Sequence, residues 1–241
     1  MLKFKELNFP LSDNREIALT SAPGVFSPTG TTKLLIEAVK QKIVDPASLL
    51  DLGCGTGVVG LALHLQGIVK SPLCASDLSE PAVICSEINF KRYECPFDVR
   101  QGSLFEPWLD HKFDVIVDDI SGISREVADL SSWFQGVPCE SGEDGTSLVV
   151  DIIREASKYL TGNGRFFFPV ISLSNVDVLL DTAKNSFDTV EMVSRQEWPL
   201  PDELKQHMPL LERLNDEGII KLEKRFGLVL WYTEIYCAYN I

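Results

Sequence analysis

Residues 49–57 read LLDLGCGTG: a short apolar run, an acid at Asp51, then glycines at Gly53, Gly55 and Gly57. No other stretch constrains the fold as much. Leu49 and Leu50 suit a buried parallel strand ending at Asp51, and the residues beyond Gly57 are helix-like. Glycines let the connecting backbone turn tightly and approach a ligand with no Cβ in the way. The helix behind them begins with unpaired N–H groups. A strand, a glycine loop and a helix in that order open a doubly wound α/β sheet with a nucleotide-like ligand at the turn.

The rest of the chain repeats that unit. Strands are expected near 48–51, 73–77, 97–101, 113–118 and 164–171, and helices near 57–66, 80–91, 145–160 and 174–186. A further helix over 31–43 carries Leu34, Leu35, Ala38 and Val39 on one face. Strands that are apolar without alternation belong to a parallel sheet covered on both sides. Ligands of such sheets gather at the carboxyl ends of the strands, where the strand order switches. Asp51, Asp77, residues 101–104 and residues 118–122 fall on that rim.

The tail changes character. Residues 190–196 and 226–239 are strand-like, the second long and aromatic, and they predict an antiparallel addition at one sheet edge. The expected architecture is an α/β domain over 30–241, built on a doubly wound, seven-stranded, mostly parallel Rossmann-like sheet. An N-terminal extension over 1–29 precedes it, suited to folding over the ligand, pairing with another chain or finishing the sheet. Residues 198–225, polar and proline-bearing, read either as a lid or as a solvated connection.

Composition removes several classes of function. The chain has 241 residues, 45% of them hydrophobic, enough for one large core or a core with a cap. Its formal net charge of −13 argues against general affinity for nucleic-acid backbones, which needs clustered Lys and Arg. The start, MLKFKELNFPLSDN, has no apolar core of signal-peptide length, and no apolar stretch approaches the ~20 residues that span a bilayer. A cytoplasmic location without membrane contact is the expectation. The six cysteines form no C-x-x-C pair and read as small buried thiols. His64, His111 and His207 are scattered, with no metal-ligand spacing, so no metal site is expected.

Asp77 ends the run LCASD about 20 residues beyond the glycine loop, where a carboxylate accepts two hydrogen bonds from a ribose diol. It suits equally a cap on the helix starting near Ser79 or Glu80. Both readings stand.

Taken together, LLDLGCGTG, ASDLS, GSLFEPW and FDVIVDD resemble the class I S-adenosylmethionine-dependent methyltransferases, over nearly the whole chain from about residue 24. Glycine spacing argues against a nicotinamide enzyme, whose last glycine stands three positions after the middle one so that the helix packs near a pyrophosphate. Here the glycines alternate behind Asp51, and S-adenosyl-L-methionine carries a sulfonium and an ammonium in place of a phosphate. The resemblance implies that cofactor. Asp51 with Gly53, Cys54, Gly55 and Gly57 would meet its methionine end, Asp77 and Leu78 its ribose, and Ser103 and Leu104 its adenine, with Asp118 a further contact.

The stretch CESGEDGTSLVVDIIREASKYLTGNGRFFF is similar to the glutamine N5-methyltransferases that modify release factors, and to their adenine- and RNA-modifying cousins. Gly142, Asp144 and Gly145 carry the Gly-acid-Gly run; they also suit plain punctuation at a helix start. GVFSPTGTTKLLIEAV resembles the family's N-terminal helix, with Phe26 in the loop that closes over the cofactor and meets the substrate.

One departure matters. The family ends its fourth strand with Asn-Pro-Pro-Tyr, whereas this chain reads Asp118, Asp119, Ile120, Ser121, Gly122. Asp119 takes the place of the asparagine. An ionised carboxylate only accepts hydrogen bonds, so the site suits an acceptor that donates N–H bonds, or a cation. The expectation is N-methylation of a protein side chain or small amine, with Asp119 as proton acceptor and 119–122 as acceptor-binding residues. Two alternatives accompany it: a target on RNA or a nucleobase, and a silent cofactor-binding partner subunit. A partner subunit or a homo-oligomer is open on any reading. Trp133, Phe134 and Pro138 stand as either a wall over the substrate or core.

Overall fold

The computed structural model describes residues 2–12, 14–120, 122–134 and 141–241. β1 (Lys5–Pro10) and β2 (Glu16–Ser21) form a hairpin, followed by α1 (Gly30–Lys42). Next come β3 (Leu49–Leu52), α2 (Val58–Leu65), β4 (Leu73–Asp77), α3 (Glu80–Arg92), β5 (Phe97–Gln101) and β6 (Phe113–Asp118). After α4 (Arg125–Leu130) and α5 (Ser147–Ala156) follow β7 (Leu160–Ile171), α6 (Val176–Ser186) and β8 (Thr189–Pro199). The chain closes with α7 (Asp202–Lys205), α8 (Met208–Asp216), β9 (Glu223–Arg225) and β10 (Leu228–Tyr239).

The main sheet runs β5-β4-β3-β6-β7-β10-β8, with β9 paired to β10. Its first five members are parallel neighbours. The chain builds outward from β3 to β5, then crosses back to β6, so a cleft opens between the carboxyl ends of β3 and β6. The two late strands form the expected antiparallel addition at one edge. β10 inserts between β7 and β8 and is antiparallel to both, which leaves β8 as the edge. The crossover through α6 skips one place in the sheet, and the aromatic run of β10 fills it.

Alternation along β7 shows why the strands carry no polar face. Phe167 packs with Leu35, Val39 and Leu61 on one side of the sheet, and Phe166 and Phe168 pack with Val149, Ile153 and Leu179 on the other. α5 supplies the second side because Val149, Val150, Ile152, Ile153 and Ala156 fall on one helical stripe. Each buried phenylalanine contributes about 1.5–3 kcal/mol of transfer free energy.

Two segments left open by the sequence take definite places in the structure. Residues 198–225 are not a solvated connection: Leu204, Leu211, Leu214 and Ile220 pack with Ile123, Val127 and Leu173 into a third apolar cluster beside the rim. The period that marks α8 was masked by its polar outer face. The N-terminal hairpin makes its own two-stranded sheet, and its Ile17 and Leu19 share the core of α1 and α2. Asn89, fully buried on α3, fastens it. Its Oδ1 accepts the Thr20 N–H at 2.7 Å, and its Nδ2 donates to the Thr20 carbonyl at 3.0 Å and the Thr56 carbonyl at 2.9 Å.

The described cysteines are free thiols, with Cys54, Cys85, Cys95 and Cys237 buried; Cys139 lies outside the described residues. Among the described residues no helix is long and apolar enough to cross a membrane, and no cluster of acids, histidines and cysteines could hold a metal ion.

Candidate functional site

The alternation of the three glycines has a direct geometric cause. Gly53, Gly55 and Gly57 all hold left-handed φ, at +65°, +54° and +75°. A Cβ on Gly53 would lie 2.3 Å from the Ile120 side chain, and one on Gly57 would lie 2.6 Å from the Phe90 ring. Between them, nothing lies within 4 Å of a Cβ built on Gly55. The outer glycines thus permit close packing, and the middle one faces free space.

That space is a cavity of about 430 Å³ at the switch of strand order. It has the size of a small-molecule site. Asp51, Gly53, Cys54, Gly55, Asp77, Leu78, Ser103, Leu104, Asp119, Ile120 and Phe26 all line it, as the sequence led one to expect. Leu104 holds a left-handed φ of +45° at the wall, a conformation a branched side chain seldom adopts. Gly24, Thr56, Ser79 and Leu148, which lie within the motifs but were not singled out as contacts, also line it.

Three expected contacts lie elsewhere. Asp118 is fully buried and off the cavity lining, because neighbouring side chains on a strand diverge and its Oδ1 turns back to accept the Ile120 N–H at 2.8 Å. Gly57 caps α2 behind the loop and packs on Phe90. Gly122, also off the lining, is held by close approach: a Cβ there would lie 2.2 Å from the Gly145 carbonyl. The Gly-acid-Gly run at 142–145 therefore clamps the turn after β6, and it does more than punctuate a helix start. Ser121, Pro138 and the side chain of Phe134 lie outside the described residues.

Acids dominate the electrostatics. The Asp77 carboxylate accepts the Gly55 N–H at 2.9 Å through one oxygen and the Ser79 N–H at 2.8 Å through the other. It ties the glycine loop to the start of α3, yet each oxygen keeps a second lone pair for a ligand hydroxyl. Asp51 accepts the Gly60 N–H at 2.9 Å. Burial, with the Asp119 and Asp77 charges nearby, pushes its carboxyl up to about 8. Asp119 accepts a hydrogen bond from Thr32 Oγ1 at 2.7 Å, and burial pushes it up to about 7 against that bond. Burial also raises Asp77 and, most strongly, Asp118. No Lys, Arg or His lines the cavity among the described residues.

Thr32 was missed in the sequence, although its place was legible. Thr29 and Thr32 form a reciprocal capping box at the start of α1. The Thr32 hydroxyl accepts the Thr29 N–H at 3.0 Å and spends its one proton on Asp119. The helix start therefore positions the rim acid.

Residues 16–119 match the family model of the methyltransferase small domain. A release factor glutamine methyltransferase of Geobacter sulfurreducens is 27% identical over 150 residues, which cover 59% of this chain and 51% of that protein. A ribosomal protein L11 methyltransferase of Staphylococcus saprophyticus is 29% identical over 113 residues, 45% of this chain and 35% of the relative. The structure of the T. Thermophilus 16S rRNA N2 methyltransferase RsmC, in complex with AdoMet and guanosine, matches 99% of this chain and 51% of its own, with a TM-score of 0.67 and 14% identity. The chain thus spans about half the length, or less, of these three proteins. Over residues 16–119 the chain is similar to the methyltransferase small domain, and throughout its length it shares the fold of the RsmC structure.

Proposed function

We propose that this chain is an S-adenosylmethionine-dependent methyltransferase whose acceptor is a nitrogen on a protein side chain or small amine. One observation carries the reading: Asp51, Asp77 and Asp119 face a single cavity with no basic residue among its described lining. Carboxylates driven above their ordinary range by burial and mutual repulsion regain the ionised form when a cation arrives. A phosphate-bearing ligand would worsen the repulsion; a ligand with a sulfonium and an ammonium relieves it. The matched family model and the AdoMet bound by RsmC support the same cofactor.

Bound there, S-adenosylmethionine supplies a methyl group on an activated sulfonium leaving group. The protein's part is positioning, exclusion of water and handling of one proton. Asp51 and the loop at 53–55 hold the charged amino-acid end, and the free lone pairs of Asp77 accept the ribose hydroxyls. Ser103 and Leu104 flank the adenine. Asp119, at the end of β6, takes the proton that an acceptor nitrogen must lose. Burial holds its carboxyl above the ordinary carboxylate range, which makes it a stronger base than an exposed aspartate. The net charge of −13 and the acidic lining disfavour an RNA acceptor.

Calorimetry with S-adenosylmethionine tests the first half of the reading and labelled methyl transfer into a fractionated lysate the second. Binding with label in the protein or small-molecule fraction is expected. Label in RNA would replace the acceptor class, binding without transfer would leave a silent cofactor-binding subunit, and absence of binding would end the proposal.

A further inference from the structure

A second cavity, of about 190 Å³, shares Phe26 with the first. Its walls include three indoles brought together from distant parts of the chain: Trp133 after α4, Trp198 at the end of β8 and Trp231 on β10. Trp198 and Trp231 are cross-strand partners with ring centroids 5.9 Å apart and planes 28° apart. Trp133 meets Trp231 with centroids 5.2 Å apart. Ile123, Ile171 and the first turn of α1 complete the wall, and a Cβ on Gly30 would lie 2.6 Å from the Trp198 ring. Only glycine lets that ring sit against the helix.

The cavity is tied to the rim acid. Asp119 and Phe26 both line the first cavity, and the Asp119 partner Thr32 follows directly on the helix turn that lines the second. Two chemical facts then set its ligand. Indole faces carry a negative quadrupole and attract cations, most strongly where water is excluded. Neither described lining holds a Lys, Arg or His to repel a cation or to grip a phosphate. The net charge of −13 favours approach of the same sign of ligand.

We propose that the cavity walled by Trp133, Trp198 and Trp231 is the acceptor subsite, and that with Asp119 it selects an alkylammonium group. The inference rests on the methyltransferase reading and narrows it: the acceptor is an aliphatic amine held as its cation, not a planar base or a neutral amide. A lysine side chain and a free amine share this chemistry. The tryptophans supply the aromatic surface that the strand-end motif at 118–122 lacks.

Tryptophan fluorescence of the full chain, titrated with choline and with its neutral isostere 3,3-dimethylbutan-1-ol, reads the selectivity directly. Choline is expected to bind at least about ten-fold more tightly than the isostere. Trp198→Leu should remove that preference and Trp198→Phe should keep most of it, because a ring face remains. Asp119→Asn should weaken choline about ten-fold and leave the isostere unchanged. Equal binding of the two isosteres would overturn the proposal, as would a preference for guanosine over choline, or retained choline selectivity in Trp198→Leu. S-adenosylmethionine calorimetry on the same samples separates the two readings. Cofactor heat without choline selectivity sinks the subsite alone, whereas choline selectivity without cofactor heat sinks the methyltransferase reading and leaves a cation site. Label transfer to a lysine peptide against a free amine then identifies the source.

Discussion

The cofactor side and the acceptor side of the cleft are built in opposite ways. Between β3 and the start of α3, one stretch of chain supplies Asp51, the glycine loop and Asp77, held by the backbone N–H groups of Gly55, Gly60 and Ser79. On the other side, Phe26, Thr32, Asp119 and three tryptophans arrive from six separate elements or loops, held by side-chain contacts. Local backbone chemistry admits few residue types and so leaves a readable pattern. A surface assembled from distant side chains admits many, and its specificity is free to change while the cofactor half stays put.

The sharpest way to break this contrast is Asp119→Asn, which should lower turnover by about 10²- to 10⁴-fold while cofactor affinity holds, read by single-turnover transfer beside calorimetry. Equal losses in both would merge the two halves into one unit. Gly53→Ala strikes the junction. Its φ of +65° and the 2.3 Å approach of Ile120 should cost cofactor affinity about 100-fold, with folding checked by circular dichroism.

Asp51→Asn should weaken cofactor binding by about ten-fold or more and at the same time stabilise the ligand-free protein at alkaline pH. The sign follows from its carboxyl, raised from 3.8 to about 8 in the folded state. The folded chain holds the proton longer than the unfolded chain, so stability present below about 4 is lost as pH rises towards 8. The variant loses this share of the slope, while Asp77, Asp118 and Asp119 keep theirs, and thermal melts across pH read the difference. A slope unchanged in Asp51→Asn would place the effect on another acid.

Thr32→Val is the mildest test. Loss of the hydroxyl removes the bond that lowers the Asp119 carboxyl, so the acid limb of the pH–rate profile should move to higher pH. A several-fold fall in kcat near pH 7 with an unchanged cofactor Kd should accompany it. An unmoved limb would show that Thr32 serves only the helix cap.

What was legible in the sequence follows the same division. The five parallel strands, the glycine loop and the rim acids could be placed because burial on both faces and left-handed backbone leave few choices of residue. The tryptophan cluster escaped: Trp198 and Trp231 are adjacent only because β10 inserts beside β8, and no period in the sequence encodes that register. Asp118 was read as a cofactor contact because strand-end acids look alike in one dimension, and only the pleat separates the acid that faces the cavity from the one behind it. Helices α7 and α8 escaped because prolines at 199, 201 and 209 read as loop punctuation, although Pro209 stands in the first turn of a helix, where its missing N–H costs nothing.

Asn89 joins the N-terminal hairpin to the glycine loop through one side chain, with Thr20 on one flank and the Thr56 carbonyl on the other. The Thr20 amide proton, sealed by that side chain, exchanges with solvent only when the hairpin lets go of it. Cofactor binding that stiffens the loop tightens the same grip. Deuterium uptake in β2 is therefore a clock for events in a cavity that Thr20 does not line.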